Sequence, residues 1–297
     1  MIIVKLQGGL GNQMFQYAFG KKLAKKNGDT LKFDITTYTS GGAKEDTPRT
    51  YQLGNFIFPI EIASTKETRF FDIIYTPRVI RSILRRLYPN SEKLTHWIDE
   101  SNHKEQYDLK LYKPVSFITG FWQNENYFKE IEQEIRKDFG SFTWKMEAKS
   151  EEMLQKINSS NSIFVNYRRT DYISNANVKN FHGVPGEDYY ANAVKLITQK
   201  QKDPHFFVFS DDIEWCQKNV NFGFPTTFVT HEYAGRDYMD YLRLMIACKH
   251  FIIPNSTFAW WAAWLNTNPN KIVIAPKKWF TNMADKSTVV PPYWIQI

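Results

Sequence analysis

The stretch Ile163-Phe-Val-Asn-Tyr-Arg-Arg-Thr-Asp-Tyr172 decides the fold. A short apolar run with β-branched residues predicts a buried strand, and this run stops at two arginines, a hydroxyl and a carboxylate. In open α/β sheets, ligands bind in the crevice outside the carboxyl ends of the strands. Two guanidinium groups at such an end favour an anionic ligand, and phosphate matches their fork geometry best. The stretch therefore predicts an α/β protein with a phosphate-binding strand end.

The two arginines have two explanations. If the strand continues through Arg168 and Arg169, their side chains point to opposite sides, so that one faces the ligand and the other pairs with Asp171. A purely structural Arg–Asp cluster at a strand end explains the stretch equally well. The rest of the sequence has to distinguish the two.

The sequence around this stretch alternates between helical and strand patterns. The predicted strands cover residues 162–167, 205–209, 227–230, 251–253 and 271–275, and the predicted helices cover residues 151–157, 189–200, 213–219, 237–248 and 259–265. Such an alternation predicts βα units and a parallel sheet. We therefore expect the second half of the chain to form a Rossmann-type domain.

Two further strand ends in this half carry polar residues, Ser210-Asp-Asp212 and Asn255-Ser-Thr-Phe-Ala-Trp-Trp261. Asp211 is suited to bind a nucleotide while Asp212 or Ser210 caps the next helix, although a cap alone also explains the segment. In the second segment, the hydroxyl and N–H groups at the helix start are suited to bind phosphate. The alternative is that Ser256 is only the N-cap residue of the helix. Three such ends at one edge of a parallel sheet jointly favour a nucleotide diphosphate.

The chain opens with a similar strand, loop and helix. Residues 2–6 form a short apolar strand, Gln7-Gly-Gly-Leu-Gly-Asn-Gln13 is a glycine loop, and residues 14–26 have helical spacing. The N–H groups of such a loop form a ready anion site. A dinucleotide fingerprint would need a third glycine at Met14, so an NAD site is a weak alternative. A tight turn that needs glycine only for its backbone is another.

The middle of the chain supplies the domain boundary. Residues 115–119 predict a strand and residues 127–139 a charged helix, and residues 140–149 then break the pattern. We expect two domains, at residues 1–145 and 146–297.

Residues 76–88 predict a helix with arginines on one side. It is either an ordinary packed helix with a solvated face or a helix that lies on an anionic membrane surface.

The composition limits the classes of function. A hydrophobic content of 42% with 23% charged residues excludes wholesale disorder, and a net charge of +7 favours an anionic partner. No basic block alternates with aromatic residues, so we expect no nucleic acid partner. Cys216 and Cys248 are the only cysteines, which favours a reducing cytoplasm, and the six histidines lack metal-ligand spacing. Neither a signal peptide nor an apolar run of membrane-spanning length is expected.

Five motifs in register resemble one enzyme family. They are Lys5-Leu-Gln-Gly-Gly-Leu-Gly-Asn-Gln-Met-Phe-Gln-Tyr-Ala18, Val165-Asn-Tyr-Arg-Arg-Thr-Asp-Tyr172, Phe181-His-Gly183, Phe209-Ser-Asp-Asp212 and Ile253-Pro-Asn-Ser-Thr-Phe-Ala-Trp-Trp-Ala-Ala-Trp264. Together they resemble the bacterial α-1,2-fucosyltransferases of glycosyltransferase family 11. The resemblance implies an α/β, GT-B-like fold of two Rossmann-type doubly wound domains facing across a cleft. The N-terminal domain then supplies the glycine loop and the acceptor side, and the C-terminal domain binds GDP-fucose.

The resemblance also implies a galactoside 2-α-L-fucosyltransferase. Such an enzyme transfers L-fucose from GDP-L-fucose to the 2-hydroxyl of a terminal β-galactoside, with inversion and with neither metal nor cofactor. Surface polysaccharide or O-antigen synthesis is the expected setting, with a galactose-terminated, lipid-linked acceptor among the options. The expected location is cytoplasmic, with peripheral contact at the inner face of the cytoplasmic membrane left open. The alternatives are a transferase for another GDP-sugar or acceptor and a non-catalytic nucleotide- or carbohydrate-binding protein.

The H-x-R-R-x-D motif of the family maps onto Asn166, Arg168, Arg169 and Asp171. Arg168 is the candidate catalytic residue, because a fixed guanidinium can stabilise the charge that develops on the departing GDP. Asn166 stands where the family usually has histidine, and an amide can donate a hydrogen bond but cannot titrate.

The resemblance assigns the remaining site residues. The expected substrate-binding residues are Gly9, Gly11, Asn12, Asn166, Arg169, Asp171, His182, Asp211, Ser256, Thr257 and Phe258. The glycine loop with Asn12 would close over the phosphates, residues 256–258 would hold the diphosphate and guanine, and Asp211 would hold the nucleoside. The general base stays open between Asp171 and His182, since an oxocarbenium-like transition state needs only weak assistance to the acceptor hydroxyl.

Overall fold

The structure is a computed structural model that describes residues 1–39, 49–68, 95–103, 106–107, 109, 111, 114–169, 185–280 and 288–297. Two units make up the chain, Met1–Asp138 and Phe139–Ile297. The division falls before the expected boundary after residue 145, because the helix that ends here still packs on the first unit. Tyr17 donates a hydrogen bond to Asp138 (2.8 Å), and Lys21 forms an ion pair with the same carboxylate.

The first unit contains a four-stranded parallel sheet. Its strands are β1 (Ile2–Lys5), β2 (Leu31–Asp34), β3 (Thr95–Asp99) and β4 (Val115–Thr119), in the order β2-β1-β4-β3. The sequence predicts β1 and β4 of these strands and gives no signal for β3. Within the part of the chain that the structure describes, β3 is an edge strand, and its sequence Thr95-His-Trp-Ile-Asp99 carries no apolar run.

The helices of the first unit differ from prediction at their starts. Helix α1 (Leu10–Asn27) begins before the expected Met14, since Gly9 serves as its N-cap residue, and the short α2 (Thr36–Thr39) follows β2. The predicted helix over 127–139 is α3 (Glu132–Phe139), preceded by two 3₁₀ turns. Phe128 interrupts it with a non-helical backbone (φ −141°, ψ 5°). The predicted basic helix over 76–88 lies outside the described residues.

The second unit contains a six-stranded parallel sheet. Its strands are β5 (Asn161–Tyr167), β6 (Pro204–Ser210), β7 (Thr226–Phe228), β8 (His250–Ile252), β9 (Val273–Ala275) and β10 (Ile295–Gln296), in the order β10-β9-β8-β5-β6-β7. All five strands predicted for this half are present. Strand β10 was missed because two residues give no periodic signal.

Helices cover both faces of this second sheet. They are α4 (Ala148–Asn158), α5 (Glu187–Lys200), α6 (Ile213–Asn219), α7 (Met239–Ala247) and α8 (Thr257–Leu265). Ile163 belongs to a buried cluster with Ile197 of α5 and Cys216 of α6. The ring of Phe209 contacts Tyr241 of α7 (5.3 Å between centroids). The unit is therefore doubly wound, as predicted. No helix of the described ranges is both long and apolar enough to cross a membrane.

Candidate functional site

Three strand ends of the second sheet meet at one edge. Strand β5 lies between β8 and β6, with Tyr167 opposite Ser210 and Val165 opposite Ile252. Because all three strands are parallel, the segments that follow them emerge on the same side of the sheet. The topology therefore brings the Asn166–Arg169, Ser210–Asp212 and Asn255–Phe258 segments to one edge, as the sequence predicted.

The carboxylate of Asp211 contacts the side chain of Arg168 and the backbone of Arg169. The Nε atom of Arg168 lies 3.6 Å from Oδ2 of Asp211, and the backbone N–H of Arg169 donates to Oδ1 of the same residue at 2.8 Å. Both side chains of the Arg168–Asp211 pair keep partial solvent access, at 29% and 19% exposure. Asp211 thus holds the segment after β5 in place, and its expected contact with the nucleoside stays a prediction.

Arg169 is held by the helix that follows β6. Its guanidinium carbon lies 3.4 Å from the ring centroid of Trp215, and its Nε lies 3.6 Å from Oδ2 of Asp212. Asp212 also caps α6, because its Oδ1 accepts the N–H of Trp215 at 3.2 Å. The structure therefore gives Arg169 a structural anchor in Trp215 and Asp212. Asp171, the predicted partner of one of the two arginines, lies outside the described residues together with His182, so that pairing stays a prediction.

Asn166 joins two strands. Its Nδ2 donates to the carbonyl oxygen of Phe209 at 3.1 Å, and its own carbonyl oxygen accepts the hydroxyl of Tyr190 at 2.9 Å. The residue is 9% exposed. This amide therefore locks the ends of β5 and β6 together, a positioning role that needs no titrating group.

The start of α8 presents the third element of the edge. Ser256 is its N-cap residue, yet the serine side chain makes no capping hydrogen bond. The first N–H groups of a helix have no partners within it, and together with the helix dipole they favour an anion. Ser256, Thr257 and Phe258 are half-buried, while Asn255 is fixed by a hydrogen bond from its Nδ2 to the carbonyl oxygen of Trp279 (3.2 Å). A hydroxyl and several N–H groups thus lie at one helix start.

The glycine loop of the first unit needs glycine at a position that the motif comparison did not single out. Gly8 has φ +76°, and a Cβ there would lie 2.4 Å from Nδ2 of Asn12. Gly9 is the N-cap residue of α1 with φ −77°, and Gly11 lies in its first turn. Gln13 is fully buried and donates to the carbonyl oxygens of Gly8 (3.1 Å) and Thr50 (2.8 Å), so its amide is structural.

Two polar neighbours of the glycine loop were missed by the sequence analysis. Gln123 after β4 donates to Oδ1 of Asn12 at 2.9 Å and so ties two strand ends together. A Cβ on Gly9 would lie 3.8 Å from Cδ of Arg49, which puts a half-buried cation beside the loop. Arg49 follows a polar stretch without periodicity, so nothing in the sequence singled it out.

Burial raises the pKa of both cysteine thiols of the second unit. Burial raises the pKa of the Cys216 thiol to about 11, and it also raises the pKa of Cys248. Both thiols are free and buried. Within the described ranges, no three His, Cys, Asp or Glu side chains gather into a metal-binding group.

The family described as glycosyl transferase family 11 matches residues 1–297 of this chain. The chain belongs to glycosyltransferase family 11. An alpha-1,2-colitosyltransferase of Escherichia coli is 32% identical and aligns with 100% of this chain and 99% of its own. The O-antigen biosynthesis glycosyltransferase WbnK of the same species is 29% identical, over 98% of this chain and 99% of its own.

A solved structure has a similar fold. The crystal structure of NodZ alpha-1,6-fucosyltransferase co-crystallised with GDP gives a TM-score of 0.51 at 14% identity, covering 92% of this chain and 94% of NodZ. The GT-B-like α/β class with two Rossmann-type domains is thereby confirmed. Membership of glycosyltransferase family 11 confirms the resemblance seen in the motifs and identifies the protein as a glycosyltransferase, so the NAD alternative is dropped.

Proposed function

We propose that this family 11 member transfers L-fucose from GDP-L-fucose to the 2-hydroxyl of a terminal β-galactoside. The reaction inverts the configuration at the fucose C1 and needs no metal ion. Its product contributes to a surface polysaccharide or O-antigen, in line with the O-antigen role in the name of WbnK. The donor and the galactoside are what the resemblance of the five motifs to the α-1,2-fucosyltransferases implies, and the α-1,2 linkage is supported by the name of the colitosyltransferase relative.

The observation that carries the proposal is the position of Arg168. It follows the central strand β5 at the carboxyl edge of a parallel sheet, where a diphosphate is expected, and the start of α8 lies at the same edge. When the bond between fucose C1 and the β-phosphate oxygen breaks, negative charge develops on that oxygen. A guanidinium held by Asp211 at 3.6 Å is preorganised to stabilise this charge without a metal ion.

The remaining steps follow from the chemistry of inversion. The acceptor hydroxyl oxygen forms the new bond to C1 from the face opposite the leaving GDP, and its proton passes to a base or to water. Asn166 cannot take this proton, since an amide does not titrate and its Nδ2 already donates to Phe209. Asp171 and His182 stay the candidates for the base. Among the binding residues, we keep Gly9, Gly11, Asn12, Ser256, Thr257 and Phe258 as the phosphate and nucleotide contacts.

The proposed setting follows from the donor. A GDP-sugar donor and two free thiols suit a cytoplasmic enzyme. A lipid-linked acceptor would bring the reaction to the inner face of the cytoplasmic membrane, where the net charge of +7 favours anionic lipid surfaces.

Transfer of colitose is the second candidate function, because the colitosyltransferase relative is full-length and 32% identical. Colitose is L-fucose without its 3-hydroxyl. A pocket that hydrogen-bonds this hydroxyl rejects the deoxy sugar strongly, whereas an apolar pocket distinguishes the two sugars weakly. The donor specificity therefore depends on a single hydroxyl contact.

A comparison of two donors tests the proposal. The enzyme is incubated in EDTA with lactose and either GDP-L-fucose or GDP-L-colitose, and the new glycosidic linkage of the trisaccharide product is determined by NMR. We expect an α-1,2-linked fucosyl product and a higher kcat/KM for GDP-L-fucose. A higher kcat/KM for GDP-L-colitose would show that colitose, and not fucose, is the preferred donor sugar. A rate that depends on added Mg²⁺ would contradict metal-free transfer.

A further inference from the structure

An unusual backbone conformation follows β4 in the first unit. Gly120 has φ +126° and Trp122 has φ +55°, so both neighbours of Phe121 lie in the left-handed half of backbone space. A non-glycine residue at positive φ is strained, and such strain persists only where the surroundings determine it. A Cβ on Gly120 would lie 2.4 Å from Cβ of Glu100, so only glycine fits there.

Buried contacts on both sides maintain this conformation. The ring of Trp122 is fully buried and lies 4.2 Å from the ring of Phe19 between centroids. The carbonyl oxygen of Gly120 accepts a hydrogen bond from the buried Gln16 at 3.0 Å, and a carboxylate oxygen of Glu100 accepts the N–H of Phe121 at 2.7 Å. The loop is therefore a fixed structure.

This fixed loop leaves the Phe121 side chain outside the core. Its exposure is 39%, although the neighbouring Trp122 is completely buried. The ring stands at the carboxyl end of β4, next to β1, and Gln123 of the same loop is hydrogen-bonded to Asn12 of the glycine loop. The carboxylate of Glu100 is half-buried beside it. An exposed aromatic ring, a carboxylate and two amides thus share one sheet edge.

This combination of groups suits a sugar. The C3, C4 and C5 hydrogens of β-galactose lie on one face of the ring, and such a C–H face stacks on an aromatic ring. A carboxylate has several lone-pair sites, so Glu100 can accept a sugar hydroxyl besides the N–H of Phe121. A phosphate in direct contact with Glu100 would be repelled by its carboxylate, so the position beside Phe121 favours a neutral sugar, whereas the phosphate contacts proposed above belong to the glycine loop.

We propose that Phe121 and Glu100 form the subsite for the terminal galactose of the acceptor. Phe121 stacks on the C–H face of the galactose, and Glu100 both fixes the Phe121 backbone and accepts a hydrogen bond from a galactose hydroxyl. This inference rests on the proposed function, since it takes the acceptor to be a galactoside.

Ligand-observed saturation-transfer NMR with methyl β-D-galactopyranoside tests the subsite without turnover. We expect saturation of the C3, C4 and C5 hydrogens by the wild type, its loss in Phe121→Ala and its recovery in Phe121→Trp. Phe224→Ala is the matched control, because Phe224 is a phenylalanine of similar exposure, 41%, in the second unit. No saturation in the wild type, or equal saturation in Phe121→Ala, would overturn the inference.

Kinetics distinguish this inference from the proposed function. With GDP-L-fucose as donor, Phe121→Ala should raise the KM for lactose about five- to ten-fold, the amount expected for one lost aromatic contact, with an unchanged Kd for GDP. Glu100→Gln retains an acceptor for the Phe121 N–H and should raise the same KM less than Glu100→Ala. An equal rise in the Kd for GDP in Phe121→Ala would count against the subsite. Phe121-dependent galactoside binding without fucosyl transfer would support the subsite and contradict the proposed donor.

Discussion

The Nε atom of Arg168 lies 3.6 Å from Oδ2 of Asp211, and the other oxygen of this carboxylate accepts the N–H of Arg169. Asp211 therefore positions the arginine that we expect to act on the departing diphosphate.

Asp211→Asn tests this positioning role. An amide oxygen can still accept the Arg169 N–H, but the charge-assisted contact to Arg168 is lost. We expect kcat to fall about five-fold, equivalent to about 1 kcal/mol for one lost ion pair with partial solvent access, while the Kd for GDP changes little. Steady-state kinetics and GDP titration measure the two quantities. A large rise in the Kd with an unchanged kcat would instead support the nucleoside contact that the sequence predicted.

The second prediction concerns the stacking of Arg169 on Trp215, whose ring lies 3.4 Å from the guanidinium carbon. Trp215→Leu removes this contact and part of the packing around it, and should lower the free energy of unfolding by about 2 kcal/mol. Trp215→Phe keeps an aromatic face and should recover at least half of the loss. Urea denaturation gives both values. Equal losses in the two variants would show that the cation–π contact contributes nothing.

Gly8→Ala is predicted to damage the glycine loop. The added Cβ would meet Nδ2 of Asn12 at 2.4 Å and would sit at φ +76°, so the hydrogen bond between Gln123 and Asn12 should break. Gly28→Ala is the matched control, because Gly28 has φ +64° but no atom within 4 Å of an added Cβ.

Both variants should lose about 1 kcal/mol of stability from the positive φ, and only Gly8→Ala should lose more. Thermal unfolding and the transferase rate compare them. A Gly28→Ala enzyme as impaired in rate as Gly8→Ala would argue against a specific role of the loop in activity.

The buried thiol of Cys216 predicts a dependence of stability on alkaline pH. Burial raises its pKa from 9.0 to about 11, so the folded state favours the protonated thiol. This contribution is complete below the pKa of the unfolded chain and is lost as the pH rises through about 11. The free energy of unfolding should fall less steeply in this range for Cys216→Ala than for the wild type. Identical slopes would show that Cys216 does not titrate in this way.

The sequence predicted the second sheet more completely than the first. Strands such as β6 are continuous apolar runs because both of their faces are covered by helices, and such runs are visible in a single sequence. Among the described strands, β3 pairs with β4 alone, and its composition is mixed, so it had no comparable signal.

The sequence predicted which segments of the candidate site lie at one sheet edge, but not which side chains contact one another. The edge that joins Arg168, Asp211 and Ser256 follows from topology alone, since parallel strands end together. Which carboxylate contacts which arginine depends on side-chain geometry, and no sequence pattern indicated the pairing of Arg169 with Asp212 that the structure shows. The exposed ring of Phe121 depends on two unusual backbone angles, which no periodicity encodes.

Acceptor-dependent release of GDP from GDP-L-fucose tests the central claim most directly. The rate is measured in EDTA, with and without lactose, for the wild type, Arg168→Ala and the charge-retaining Arg168→Lys. We predict lactose-dependent turnover in the wild type, a rate about a hundred-fold or more lower in Arg168→Ala, and an intermediate rate in Arg168→Lys. The reason is that the fixed positive charge lowers the activation free energy by a few kcal/mol. Wild-type turnover that survives unchanged in Arg168→Ala would contradict the account.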